Sequence, residues 1–177
     1  MIDGLNLPAS LSARAADVVV RRATPDDLDP IVRLLSDDPI SAGRGDVARD
    51  EDRGAYADAL ERIIANPANE LLVAADDAGR VVATLQLTLI PGMARRGSTR
   101  LLVEAVRVAS AERSSGIGTA LMRWVVDAAA VELGVSLVQL TSDAARVDAH
   151  RFYRRLGFVD SHVGFKYAVP SATTGGR

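Results

Sequence analysis

Hydrophobic and polar positions along the chain fall into alternating strand and helix patterns. Val18-Val19-Val20-Arg21-Arg22 is a β-branched run, and the residues after it, Thr24-Pro25-Asp26-Asp27, combine a capping threonine, a proline at the first helical position and acids in the first turn. A strand leading into a helix is expected there. Leu28, Ile31, Val32, Leu34 and Leu35 recur near helical spacing until Asp37-Asp38-Pro39. Tyr56, Ala59, Leu60, Ile63 and Ile64 mark a second amphipathic helix that stops before Pro67. Leu71–Ala75 and Val81–Ile90 read as strands joined by a hairpin connection at Asp76-Asp77-Ala78-Gly79-Arg80. A basic loop with Arg95, Arg96 and Arg100 then leads to a strand over Leu101–Val108. Leu121, Met122, Val125, Val126 and Ala129 give Thr119–Leu133 one apolar helix face, closed by Gly134 as a C-cap. Val135–Thr141 is a further strand, Asp148–Leu156 a short helix and Phe158–Val169 a closing strand or pair.

The resulting order is mixed α/β, with an internal hairpin and one strand–helix–strand crossover near residues 101–141. Residues 1–16 follow neither period and are expected to be a flexible lead-in, residues 17–169 a single domain, and the small-residue stretch 170–177 a disordered tail.

Composition narrows the function. At 177 residues and 18.7 kDa the chain suits one compact domain. Its 48% hydrophobic and 25% charged residues are typical of globular proteins, and no apolar run reaches the ~20 residues of a membrane-spanning helix. A net charge of -2 supplies no basic field, so neither nucleic acid nor a membrane is expected as partner. The absence of cysteine excludes disulfides and thiol nucleophiles, and with two histidines no metal site is expected. Met-Ile-Asp-Gly-Leu-Asn lacks the basic start and apolar core of a signal peptide, which leads to the expectation of a cytoplasmic protein.

The most informative segment is Arg113-Ser114-Ser115-Gly116-Ile117-Gly118, between a strand and an apolar-periodic helix. A helix N-terminus offers backbone N–H groups without helical partners, and glycines admit a ligand close to that backbone, so the element suits a pyrophosphate. Arg113 can add a charge-assisted contact. Two glycines also serve a plain strand-to-helix turn. No lysine followed by serine or threonine comes after the second glycine, and the third glycine of the dinucleotide fingerprint is missing, so neither ATP nor NAD is favoured.

With Arg113, Gly116 and Gly118 at these spacings, the strand Val103–Val108 before them, and Phe152-Tyr153 ahead of Leu156-Gly157-Phe158, the sequence resembles the GNAT superfamily of acyl-CoA-dependent N-acyltransferases over roughly residues 18–169. The resemblance implies an α/β fold of GNAT type: a mixed, mostly antiparallel central sheet with two splayed parallel strands, here Leu101–Val108 and Val135–Thr141, and helices on both faces. It implies acetyl-CoA as co-substrate, its pyrophosphate on the amides of Ser114, Ser115, Gly116, Ile117, Gly118 and Thr119, its pantetheine beside Val106, Arg107 and Val108. The sequence departs from the family pattern at Arg146, where many members carry a cofactor-contacting asparagine.

The resemblance also implies an activity, transfer of an acetyl group to a primary amine of a small molecule or peptide by direct attack. Tyr153 resembles the family's general acid toward the departing thiolate, and its phenol, ordinarily titrating near ~10, carries a proton at neutral pH. It also suits a structural role packing a helix. Glu104 is an acid inside the apolar run Leu102-Val103-Glu104-Ala105-Val106, a placement that calls for a partner or a purpose. Some members carry a glutamate base at this distance before the motif arginine; an ion pair with Arg100 or Arg107, or an exposed edge position, is the alternative. His150, on the same side of its helix as Tyr153, and His162 are lesser candidates. The acids Asp37, Asp38, Asp46, Asp50, Glu51 and Asp52 suit a cationic amine or a solvated face alike. The reading of another class is a catalytically silent acyl-CoA-binding or sensing module. A homodimer through the C-terminal strands is expected.

Overall fold

The computed structural model describes residues 2–169. The chain forms two compact units, Met1–Leu140 and Thr141–Arg177, so the span expected as one domain is shared between them.

The first unit is built on a six-stranded sheet in sequential order: β1 (Ala9–Ser12), β2 (Asp17–Arg22), β3 (Asn69–Ala75), β4 (Val81–Pro91), β5 (Thr99–Val108) and β6 (Leu137–Leu140). Neighbours are antiparallel except β5 and β6, which run parallel from Arg100↔Leu137 to Val103↔Leu140. Beyond Val103 the strand β5 continues to Val108 with no further pairing to β6, so the parallel pair ends in an opening. This is the splay anticipated for these two strands.

Cross-strand register sorts the sheet residues onto two faces, because directly opposite residues share a face. Val18 and Val20, Leu72 and Ala74, Ala83, Leu85 and Leu87, and Leu101 and Val103 form one face and are buried. The helix α3, which begins as Ile117–Trp124 and runs through a π-helical turn at Val125–Ala129 to Glu132, packs on the sheet and buries Ile117, Leu121, Met122, Val125 and Ala129. On the other face α1 (Leu28–Ser36) and α2 (Arg53–Ile64) form a second apolar cluster in which Leu28, Ile31 and Leu60 meet Leu71 and Val73. Entry into α1 is fixed by Asp27, only 4% exposed, whose carboxylate accepts two hydrogen bonds from the Arg21 guanidinium (2.7 and 2.8 Å) and one from the Thr24 N–H (2.8 Å).

Residues 1–16 differ from the expected loose lead-in. They contain β1, paired to β2, and Ile2 and Leu5 are buried. The strand is only four residues long, its alternation is too short to register as a period, and its partner supplies the ordering.

In the second unit α4 (Val147–Arg155) is followed by an irregular segment. The closing strand expected over Phe158–Val169 is absent: Val159, Val163, Phe165, Tyr167 and Val169 are 80–93% exposed. An extended segment becomes a strand only when a neighbour takes its amides and carbonyls. Among the described residues none does so. The expected disordered tail, 170–177, lies outside the described residues.

Candidate active site

On β5 the ladder slips by one residue. Gln86 faces Glu104 and Thr84 faces Arg107, leaving Ala105 and Val106 opposite Leu85 alone, which is a β-bulge. Its first residue, Ala105, sits at φ 51°, a left-handed conformation in which glycine is the usual occupant. The register puts Glu104 on the α1–α2 face, where its cross-strand partner Gln86 and the neighbouring Asn69 and Thr88 also lie. These three are bonded to each other: Asn69 Oδ1 accepts from Gln86 Nε2 (2.9 Å) and from Thr88 Oγ1 (2.7 Å).

Glu104 is exposed, and among the described residues none forms an ion pair or hydrogen bond with its carboxylate. Neither of the expected alternative partners, though both lie on the same face, is paired with it. Arg100 is exposed at the end of β5, and Arg107 donates to Ser41 Oγ (2.6 Å) and to the Val106 carbonyl (2.8 Å).

Beside the bulge, a cavity of about 110 Å³ opens between α1, α2 and the sheet. Ile31, Leu35, Tyr56, Leu60 and Ile63 wall it on the helix side, and Gln86 and Ala105 close it at the sheet. The Tyr56 hydroxyl donates to Asp46 Oδ1 (3.3 Å), and burial together with that carboxylate raises the phenol above its ordinary value, so it stays protonated. Gln86, Asn69 and Thr88 were not singled out from the sequence, and Tyr56 only as part of a helix face. The polar positions Thr84, Gln86 and Thr88, spaced by two within an apolar strand, were the available signal.

The glycine turn enters α3 as anticipated, with Gly116 at φ 99° and Ser114 at φ 71°. The amides of the first helical turn, at Ile117, Gly118 and Thr119, belong to the group that an α-helix leaves without helical acceptors. Two features of this turn lie outside the sequence reading. Arg113 reaches back to α1, donating from Nη2 to the Asp37 carbonyl (3.1 Å) with the Asp37 carboxylate 3.7 Å away. The segment leading out of β1 also packs on the turn: Ala15 N–H donates to the Ser115 carbonyl (2.9 Å), Arg14 Nη2 donates to the Ser114 carbonyl, and a Cβ at Gly116 would stand 2.7 Å from the Arg14 nitrogen. Gly116 is therefore required twice, by its φ and by the backbone packed against it.

In the second unit the Leu-Gly-Phe signature is a helix terminus. Gly157 adopts φ 94°, its N–H bonds to the Arg154 carbonyl (3.0 Å), and Phe158 N–H bonds to the Tyr153 carbonyl (3.1 Å), which together form a Schellman motif. The motif brings Phe158 edge-on to Tyr153 at 5.8 Å, and Phe152 flanks the same ring at 5.1 Å. The Tyr153 ring is thus oriented by its neighbours. His150 Nε2 lies 2.8 Å from the Asp143 carbonyl, and Arg146 stands at the N-cap of α4. His162 is exposed, next to Ser161.

Known proteins share parts of this sequence and its fold. The chain is 39% identical over 57 residues to the aminoalkylphosphonate N-acetyltransferase of Salmonella typhimurium, a stretch amounting to 32% of this chain and 36% of that protein. The match thus spans about a third of the curated relative's length. Among solved structures the chain resembles a transcriptional regulator from Bacillus halodurans C-125, with a TM-score of 0.80 and 39% identity over 86% of this chain and 99% of that one. It shares its fold with the glucosamine-6-phosphate N-acetyltransferase of Arabidopsis thaliana, with a TM-score of 0.68 and 18% identity over 85% and 97% of the two chains. Residues 29–158, from the first turn of α1 through the bulged strand and the glycine turn to Phe158, match the Acetyltransferase (GNAT) family, and the chain belongs to that family.

Proposed function

We propose that the protein transfers an acetyl group from acetyl-CoA to a primary amine of a small molecule or peptide, with Glu104 as general base and Tyr153 as general acid. The observation that carries this reading is the bulge at Ala105, which leaves the Glu104 carboxylate unengaged among the described residues on the face that also holds the cavity.

The chain's own groups have distinct tasks. The amides from Ser114 to Thr119 receive the pyrophosphate, with Arg113 nearby, and Val106, Arg107 and Val108 run beside the pantetheine. Glu104 accepts a proton from the substrate ammonium, directly or through water. The neutral nitrogen attacks the thioester carbon, the C–S bond breaks, and Tyr153 protonates the departing thiolate. The amide nitrogen sheds a second proton, so the cycle returns both residues to their starting states and releases one proton overall.

A second reading, a catalytically silent acyl-CoA-binding or sensing module, draws on the likeness to the Bacillus halodurans transcriptional regulator. Thiol release from acetyl-CoA across a panel of primary amines, corrected for hydrolysis, separates the two. Amine-dependent release with formation of the N-acetyl product supports the enzyme. Tight acetyl-CoA binding without release would replace it by the silent module.

A further inference from the structure

We infer that the acceptor is a primary amine bearing a compact apolar group, about the size of a phenyl ring or a short branched alkyl chain. The inference rests on the acetyltransferase reading and names its substrate class.

The cavity beside the bulge is mainly apolar along α1 and α2, where Ile31, Leu35, Leu60 and Ile63 line it, and its polar side chains are Thr84 and Gln86 of the sheet and Tyr56 of α2. Glu104 is the cross-strand partner of that Gln86. An amine whose nitrogen lies at the Glu104 end therefore has its remaining atoms directed under the two helices.

The polar groups on the cavity wall already have partners within the chain. Thr84 Oγ1 donates to the Leu72 carbonyl (2.8 Å), Gln86 Nε2 to Asn69 (2.9 Å) and the Tyr56 hydroxyl to Asp46 (3.3 Å). Among the described residues no arginine or lysine lines the space. A phosphonate, a carboxylate or a second ammonium placed there would lose water and meet no opposite charge on the described lining, whereas a hydrocarbon loses nothing polar. The volume, about 110 Å³, is of the order that accepts a single aromatic ring.

The test uses the full chain and acetyl-CoA with methylamine, butylamine, 2-phenylethylamine, 2-(2-naphthyl)ethylamine, spermidine and aminomethylphosphonate. The expected result is a kcat/KM that climbs by about 10-fold or more from methylamine to 2-phenylethylamine, then falls for the naphthyl compound, with spermidine and aminomethylphosphonate below the phenyl amine. Ala59→Phe, which places a ring in the cavity, should abolish the preference for 2-phenylethylamine over methylamine. A flat series, or a best substrate among spermidine and aminomethylphosphonate, overturns the inference while leaving acetyl transfer standing. If no amine is acetylated, the acetyltransferase reading fails, and calorimetry with 2-phenylethylamine on the CoA-loaded protein decides the cavity by itself. Binding that Ala59→Phe weakens at least about 10-fold supports an apolar amine ligand there, and no binding overturns it.

Discussion

Glu104 and Gln86 face each other directly across β5 and β4, at the last paired position before the ladder slips at Ala105. Their pairing settles which side of the sheet the carboxylate occupies; Arg107 lies on the same side, with its guanidinium held by Ser41 and the Val106 carbonyl. Glu104→Gln preserves shape and removes basicity. Its kcat/KM at neutral pH should fall about 10²-fold or more, and the defect should shrink as alkaline pH supplies free amine. A pH–rate profile checks this, and equal impairment from neutral to alkaline pH would return Glu104 to a structural role.

Tyr153→Phe keeps the edge-to-face contacts with Phe152 and Phe158 and the Schellman bonds, and removes the hydroxyl. If the phenol is the acid, kcat drops about 10²–10⁴-fold with acetyl-CoA affinity retained. Single-turnover kinetics and calorimetry measure the two quantities separately. Near-normal turnover would pass the role to another donor.

The two motif glycines should separate on substitution. Gly116→Ala places a Cβ 2.7 Å from the Arg14 nitrogen at a residue with φ 99°, so its first effect should be on folding, about 1–3 kcal/mol, visible as a lower Tm. Gly118→Val, inside the first turn of α3, should mainly weaken acetyl-CoA binding by crowding the amide surface. Wild-type affinity in a folded Gly118→Val protein would refute the cofactor turn.

Acid stability should report Asp27. The Arg21 guanidinium, and secondarily the Thr24 N–H and hydroxyl, hold the Asp27 carboxyl below its ordinary value against the cost of burial. A carboxyl whose folded value is depressed contributes stability in full above its unfolded value of about 3.9, and that contribution disappears as pH falls through the lower folded value. Denaturant unfolding from pH 6 down to pH 2 should lose stability in that window. Asp27→Asn should flatten the loss and cost about 2 kcal/mol at neutral pH, because it breaks a paired buried charge with one half-exposed partner.

Light scattering at micromolar concentration should give a dimer. Val163, Phe165, Tyr167 and Val169 alternate along an exposed segment with no strand partner among the described residues, and β6 is the last strand of its sheet. The pairing expected is with a second copy. Trimming residues 159–177 should then give a monomer, and a monomeric mass for the full chain would dismiss the pairing.

Period and punctuation made most elements legible. β3, β4 and β5 were marked by β-branched and aliphatic runs, α1 and α2 by their apolar stripes, and the entry to α3 by Gly116. What escaped depends on partners distant in sequence. β1 is a strand because β2 pairs with it, and nothing in Ala9–Ser12 announces that. Phe158–Val169 has the alternation of a strand and lacks the neighbour that would make it one. The side of the sheet on which Glu104 lies was equally hidden, since a bulge at Ala105 offsets the alternation and only cross-strand register resolves it. The motifs Arg113–Gly118 and Leu156–Phe158 were visible as patterns, but the contact of Arg14 with one and the helix cap within the other required coordinates.

The seam between Arg14–Ala15 and Ser114–Gly116 ties the order of the segment after β1 to the order of the turn. Any ligand that favours the turn's present shape must favour the docked N-terminal hairpin by the same coupling free energy, and the reverse holds equally. Acetyl-CoA should therefore slow amide hydrogen exchange in β1, which lies outside the turn itself. Replacing Arg14 should for the same reason weaken acetyl-CoA binding, a change that calorimetry reads directly.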